Sequence, residues 1–178
     1  MTAALVISKL ESYENFGFKW IAAGAGGFNY WATTDGAPRP EFMTCGLCCF
    51  YLPLAAAIEA GCMTKAGAGD LIYNQMESGM QRAVPRGWVP AGLTKHRTGV
   101  MANHPNRGDV VFFSGKNAPY FAHVAVATGN GDELISFGHD APYLQPGMHI
   151  RLVSRVTIAE VKAANNMLTD VHFGAPSW

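Results

Sequence analysis

The sequence predicts an α+β domain in which helices come first and an antiparallel sheet follows. Apolar residues recur at helical spacing up to Ser78, whereas short strand-like runs follow one another from Val110 onward. Between two of these runs, Asn130-Gly131 is a strong hairpin signal, because this dipeptide accepts positive φ at both central positions of a tight turn. Helices followed by an antiparallel meander define the α+β class. The chain has neither an internal repeat nor a domain boundary, so one domain over residues 1–178 is expected.

Four stretches have the apolar spacing and the end signals of helices. The second of them is expected to begin near Cys45, because Thr44 can cap it, and to end at Gly61. Pro53 lies inside this stretch, so the helix either kinks there or begins nearer Cys49, where a proline falls in the first turns. The predicted helices cover residues 5–18, 45–61, 66–78 and 158–167.

Five short apolar runs, separated by turn residues, predict the strands of the sheet. A two-residue Asn-Gly loop would pair Ala125 with Ser136 on the strands that flank it. Residues 81–106, rich in Gly, Pro and polar side chains, predict a long loop, and long loops are often functional. The predicted strands cover residues 110–113, 123–128, 133–137, 149–154 and 170–173.

The composition favours a folded chain that has no nucleic-acid partner and no membrane span. Hydrophobic residues make up 49% of the chain and charged residues 15%, which excludes a disordered tail. Lys+Arg and Asp+Glu are each 13, so the net charge is zero and no basic stripe favours nucleic acid. No segment approaches the ~18 apolar residues of a membrane span. The first residues lack the basic start of a signal peptide, so the protein is expected to be cytoplasmic when made, with export without a cleavable signal as the alternative.

Cys45 is the first candidate for a catalytic nucleophile. At the start of a helix, free N–H groups and the positive end of the helix dipole favour a thiolate over a thiol. A thiolate in this position needs a base, and His123, which opens a strand-like run, is the best candidate. Such a pair meets in space rather than along the chain, so the long separation in sequence is no obstacle.

A third polar residue is needed to orient the imidazole of His123. Side chains alternate along a strand, so the predicted hairpin puts His123, Ser136 and Asp140 on one face and His139 on the other. We rank Ser136 first by position and Asp140 second, since Asp140 is the stronger acceptor but lies near the end of the pairing.

Four motifs together resemble the papain-like superfamily, and the nearest branch is the NlpC-type cysteine peptidases and amidases. The resemblance covers roughly residues 28–140 by order and spacing. In that family the cysteine begins a helix packed on a central antiparallel sheet, and the histidine begins a central strand. The motifs are Phe28-Asn29-Tyr30-Trp31, Met43-Thr44-Cys45, Arg107-Gly108-Asp109-Val110-Val111-Phe112-Phe113 and His123-Val124-Ala125-Val126-Ala127-Thr128-Gly129.

The resemblance implies a papain-like fold, with N-terminal helices on a central antiparallel sheet, and a role for each candidate. Cys45 becomes the nucleophile, His123 the general base and acid, and Ser136 the third residue. The cysteine helix runs about one turn longer than the family pattern, which leaves Cys49 as the second candidate nucleophile. No cofactor or metal is expected.

The expected activity is amide hydrolysis through an acyl-enzyme, with a peptide or peptidoglycan as the substrate. A chain without a signal peptide suits an effector or toxin domain, for which an immunity or carrier protein is a further expected partner. Cleavage or deamidation of a host or rival-cell protein uses the same residues and stays open as the alternative.

Two further hypotheses belong to other functional classes. Cys45-Gly46-Leu47-Cys48 is a C-x-x-C at the predicted helix start, an arrangement typical of thiol–disulfide oxidoreductases. The chain could instead be a binding module without chemistry, with a groove built from the aromatic block and the long loop. A zinc site made from the four cysteines is disfavoured, because they lack a second well-spaced pair or a pair of histidines at ligand spacing.

Overall fold

The computed structural model describes residues 2–21, 25–77, 87–116, 118, 121–140 and 149–178. The predicted loop at 81–106 lies partly outside the described residues, and the predicted helix end at Ser78 lies wholly outside them. Within the described residues the helices are α1 (Thr2–Glu11), α2 (Gly26–Thr33), α3 (Tyr51–Glu59), α4 (Lys65–Glu77) and α5 (Ile158–Ala164). The strands are β1 (Gly17–Trp20), β2 (Thr94–Lys95), β3 (Val110–Ser114), β4 (His123–Ala127), β5 (Glu133–Phe137), β6 (His149–Thr157) and β7 (Asp170–Gly174).

The seven strands form one sheet with the order β1-β6-β5-β4-β3-β7-β2. Every neighbouring pair of strands in it is antiparallel. Four helices precede the main run of strands and α5 follows β6. The predicted α+β class is confirmed.

The central strands are buried on both faces of the sheet. Along β3, Val110 and Phe112 pack in one apolar cluster with α1 and α3, whereas Val111 and Phe113 pack in a second cluster with α5. This is the alternation that a pleated strand imposes on its side chains. Because helices or loops cover both faces, a polar group of β4 or β5 meets solvent most easily at the ends of the strands.

The helices in the described part of the chain are short. The longest, α4, has 13 residues, whereas a bilayer span needs about 20. None of these helices combines the length and the apolar character that crossing a bilayer requires.

Three elements were not anticipated from the sequence, and one of them, the two-residue strand β2, lies inside the predicted loop at 81–106. The predicted helix at 5–18 ends at Glu11, and β1 follows it as a strand that pairs with β6, with Gly17 opposite Leu152. The aromatic block around Phe28 forms α2. A strand of four residues is too short to show a period of its own, so its conformation is set by the partner strand.

The cysteine helix begins later than predicted, because α3 starts at Tyr51 rather than near Cys45. Gly46 has a φ of 82°, which no right-handed helix contains. The next residue, Leu47, is held in a parallel bridge to Trp20. Pro53 therefore falls in the first turn of α3, where its missing N–H needs no partner. The alternative start nearer Cys49 is the one that the chain adopts.

The hairpin between β4 and β5 has the predicted register but a different turn. Ala125 pairs with Ser136, as expected. Positive φ occurs at Gly129 and Gly131 and not at Asn130, so the turn is not the two-residue Asn-Gly loop. The strand pairing still fixes which β5 side chains share a face with those of β4.

Candidate functional site

Cys49, rather than Cys45, lies beside His123. The His123 ring lies close enough to the Cys49 sulfur for its charge and a hydrogen bond to lower the pKa of Cys49. The ring of His123 in turn contacts Ser136, with 2.9 Å between Nε2 and Oγ. The structure therefore brings three of the candidate residues into one chain of contacts, while the chemical roles assigned to them stay predictions.

The turn that leads into α3 places the Cys49 sulfur. The Cys48 carbonyl accepts hydrogen bonds from the N–H groups of Tyr51 and Leu52, at 3.0 and 3.1 Å, and so starts the helical pattern. The pairing of β4 with β5 begins only at Ala125. One residue earlier, the main chain of Val124 donates a hydrogen bond to the Cys49 sulfur. The sulfur is thus held at the end of β4 by both the helix and the strand.

The imidazole of His123 is enclosed by aromatic rings and by a second histidine. Its ring centroid is 5.7 Å from that of Phe113, the residue opposite it on β3, and 6.5 Å from that of His139. His123 is 4% exposed and Ser136 is 1% exposed. Burial of this kind strengthens the electrostatic interaction between a thiolate and an imidazolium.

The environment of Cys49 favours the thiolate. Burial by itself raises the pKa of Cys49, but a hydrogen bond from the Cys48 thiol, the charge and hydrogen bond of His123 and the Val124 N–H lower it well below the usual range. The pKa of Cys48 is raised well above its usual range by burial and by the Cys49 sulfur. Cys48 thus stays a thiol and donates a hydrogen bond to the sulfur of its neighbour.

Removing the Cys48 donor is expected to raise the pKa of Cys49. In Cys48→Ala, the pH at which alkylation by iodoacetamide reaches half its maximal rate moves upward, because only the thiolate reacts. Cys48→Ser keeps a hydroxyl donor at this position and is expected to lie closer to the wild type. The measurement is the rate of Cys49 alkylation, followed by peptide mass spectrometry between pH 5 and about 9. An unchanged midpoint in Cys48→Ala would show that the Cys48 thiol does not influence the pKa of Cys49.

Cys45, the first candidate from the sequence, lies in a different environment. Its thiol points to main-chain oxygens of Phe42 and Gly46, at 3.6 and 3.8 Å. Burial, above all, raises the pKa of Cys45. Its own N–H donates to the carbonyl of Glu41 at 2.9 Å, so that group is not free to bind an oxyanion. The prediction that Cys45 opens a helix is wrong, and the features expected of a nucleophile are found at Cys49.

Asp140, the second choice for orienting His123, lies beyond the end of β5. The strand ends at Phe137, and Gly138, with a φ of 71°, turns the chain away. Asp140 is exposed and acts on the charge of His139. The prediction that His139 faces away from His123 is wrong, because strand alternation stops at Gly138.

The thiol–disulfide hypothesis loses its structural premise. Cys45 and Cys48 both precede α3, and the side-chain partner of Cys48 is Cys49. All four cysteines are free thiols. The C-x-x-C spacing therefore does not mark a redox pair at a helix start.

The described residues leave little of the Cys49 side chain exposed. Cys49 is 9% exposed, and both faces of the central strands are covered. Two surface grooves in the described part of the chain lie elsewhere, one beside Glu59 and one beside Asp70. Among the described residues at the end of β5, His139 is partly exposed.

No known protein family, curated protein or solved structure matches this chain. The case for its chemistry therefore depends on the motifs in the sequence and on the geometry of its own residues. The sequence makes Cys49 the second candidate nucleophile and indicates Cys48 only as part of the C-x-x-C with Cys45. The effect of the Cys48 thiol on the Cys49 sulfur has no separate sequence signal.

Proposed function

We propose that the protein is a papain-like cysteine hydrolase that cleaves an amide bond through Cys49 and His123. The single observation that carries this proposal is the contact between the Cys49 sulfur and the His123 ring at the start of β4. A cysteine beside a base that is itself oriented by a third group is the general pattern of an activated nucleophile. Ser136 is the third group.

The first chemical step forms an acyl-enzyme. The Cys49 thiolate adds to the carbonyl carbon of the amide, and the tetrahedral intermediate collapses when the carbon–nitrogen bond breaks. The imidazolium of His123 gives its proton to the leaving amine. Since Nε2 of His123 is engaged with Ser136, Nδ1 is the nitrogen that serves the sulfur and the substrate. The N-terminal end of α3 offers positive partial charge for the oxyanion.

The second step regenerates the enzyme. Neutral His123 takes a proton from water, and the hydroxyl oxygen adds to the thioester carbonyl. The carbon–sulfur bond breaks, which releases the carboxylic acid and restores the thiolate–imidazolium pair. Ser136 keeps the ring oriented in both steps but, as a neutral group, stabilises the imidazolium less than a carboxylate would.

The proposed substrate is a peptide amide of peptidoglycan, and the proposed setting is an effector or toxin domain. An immunity or carrier protein is the partner that such a domain needs. These proposals follow from the NlpC-type motifs in the sequence. Cleavage or deamidation of a protein by the same residues is the competing possibility.

The test is to incubate the full chain with purified peptidoglycan and to identify soluble products by mass spectrometry. Release of peptides with new amino and carboxyl ends, blocked by prior treatment with iodoacetamide, supports the proposal. Unchanged peptidoglycan, together with new termini or deamidated glutamine in a protein, would indicate that the substrate is a protein. Unchanged peptidoglycan and unchanged proteins would overturn the assignment as a hydrolase.

A further inference from the structure

Three metal-ligating side chains converge far from Cys49, on residues that the proposed chemistry does not use. Asp132 Oδ1 lies 2.9 Å from His96 Nε2 and 2.8 Å from His104 Nδ1. The candidate ligand atoms of the three residues all lie within 4.8 Å of one another. We propose that His96, His104 and Asp132 bind a zinc ion.

The backbone places the two histidines, His96 and His104, side by side. Arg97 and Asn103 form an antiparallel bridge, so His96 and His104 occupy the next opposed positions of the same small hairpin. The Asn103 side chain locks the hairpin: its Oδ1 accepts from the Arg97 N–H at 2.6 Å, and its Nδ2 donates to the Lys95 carbonyl at 3.0 Å. Two histidines that are eight residues apart in sequence are thereby fixed on one edge.

Asp132 is presented by a second, independent turn. It lies in the connection between β4 and β5, and its main-chain carbonyl accepts a hydrogen bond from Ile158 at the start of α5, at 3.0 Å. The His96 side chain is 5% exposed, whereas that of His104 is 51% exposed. One ligand is therefore anchored in the protein, and the opposite side of the cluster faces solvent.

The donor set and its spacing suit zinc. Zinc binds imidazole nitrogen and carboxylate oxygen at about 2.0–2.2 Å, so tetrahedral ligand atoms lie roughly 3.3–3.6 Å apart. The distances from Asp132 Oδ1 to His96 Nε2 and to His104 Nδ1, 2.9 and 2.8 Å, are shorter than this range, and small side-chain rotations would open the cluster enough for an ion. Imidazole ligands favour zinc over magnesium or calcium, which prefer oxygen alone. Water can fill the fourth position on the exposed side.

The ion would join three parts of the chain rather than take part in amide hydrolysis. The other four residues of β4, roughly 13 Å of extended chain, lie between His123 and this end of the strand. Zinc would tie the hairpin of His96 and His104 to the β4–β5 turn and to the start of α5. The ion would therefore be structural and would raise thermal stability, since a ligand that binds only the folded state stabilises it.

The experiment uses the full chain after treatment with a chelator. Zinc is titrated by calorimetry, and the melting temperature is recorded with and without zinc. We expect one equivalent to bind and the melting temperature to rise, with no rise from magnesium at the same concentration. His104→Ala and Asp132→Asn are expected to lose the zinc-dependent rise, whereas the matched controls His149→Ala and Asp140→Asn keep it.

The absorption spectrum of bound cobalt distinguishes metal binding at this cluster from metal binding at the cysteines. Cobalt bound by nitrogen and oxygen gives visible ligand-field bands without the near-ultraviolet charge-transfer band of a thiolate ligand. A thiolate band, or a zinc-dependent rise that survives in both His104→Ala and Asp132→Asn, would overturn the proposal, as would the absence of binding. His104 is half-exposed, so His104→Ala is expected to fold without zinc, which circular dichroism checks. None of these measurements depends on hydrolase activity.

Discussion

Replacing Cys49 with alanine is expected to reduce amide hydrolysis by a factor on the order of 10⁴ or more, the scale seen when a catalytic nucleophile is removed. Cys45→Ala is expected to keep nearly wild-type activity, because the Cys45 thiol contacts main-chain oxygens and its pKa is raised by burial. The measurement is the initial rate at which new amino groups appear on the substrate.

The two cysteine variants form a matched pair, because each removes one sulfur from the same segment before α3. Circular dichroism and the melting temperature show whether each variant is folded. If Cys45→Ala were folded but inactive, and Cys49→Ala were active, the choice between the two cysteines would be reversed. Wild-type activity in both variants would mean that neither sulfur is the nucleophile.

Replacing His123 with alanine is expected to have the second largest effect. The pKa of Cys49 is lowered partly by the charge and the hydrogen bond of His123, while burial acts in the opposite direction. Without the imidazole, burial is opposed only by Cys48 and the Val124 N–H, so the pKa of Cys49 rises. In the wild type, the rate of alkylation by iodoacetamide is expected to rise through a midpoint well below pH 8.5, and in His123→Ala this midpoint moves toward higher pH.

Hydrolysis is expected to fall further than alkylation in His123→Ala. Alkylation needs only the thiolate, whereas hydrolysis also needs a proton donor for the leaving amine and a base for water, each typically worth ~10²–10⁴-fold. His172→Ala, on β7, is the control for loss of a partly buried histidine. If Cys49 in His123→Ala were alkylated at neutral pH as fast as in the wild type, the thiolate would not depend on this imidazole.

The hairpin shows what local sequence can determine. The register that joins Ala125 to Ser136 follows from two strands and the glycine-rich turn between them, and it brings the Ser136 hydroxyl to the His123 ring. The α+β class follows in the same way from the order of the helices and strands. These features depend on residues that are close in sequence, so their patterns are visible in the chain itself.

The start of the cysteine helix depends on contacts that the local pattern does not contain. Thr44, followed by an apolar run, has the features of a helix start, yet Leu47 is held by Trp20, almost thirty residues earlier. Pro53 was the one local signal for the later start, and it pointed to Cys49. The environment of Cys49 depends in turn on Val124 and His123 on a distant strand, which no spacing reveals.

The zinc ligands were missed for the same reason. In the sequence, Asp132 directly follows the Asn130-Gly131 hairpin signal, and His96 and His104 lie inside a stretch that predicts a loop. Their convergence needs both the bridge between Arg97 and Asn103 and the fold of the β4–β5 turn onto α5. Only the tertiary structure contains that information.

The register of β4 and β5 makes the length of an exposed turn matter for chemistry. A single residue inserted between Gly129 and Asp132 would shift β5 by one position and send every β5 side chain to the opposite face. Ser136 would then point away from His123, and Ile135 or Phe137 would take its place. Surface turns generally tolerate insertions well. In this exposed turn, however, one added residue would remove the Ser136 contact that orients the buried His123 ring.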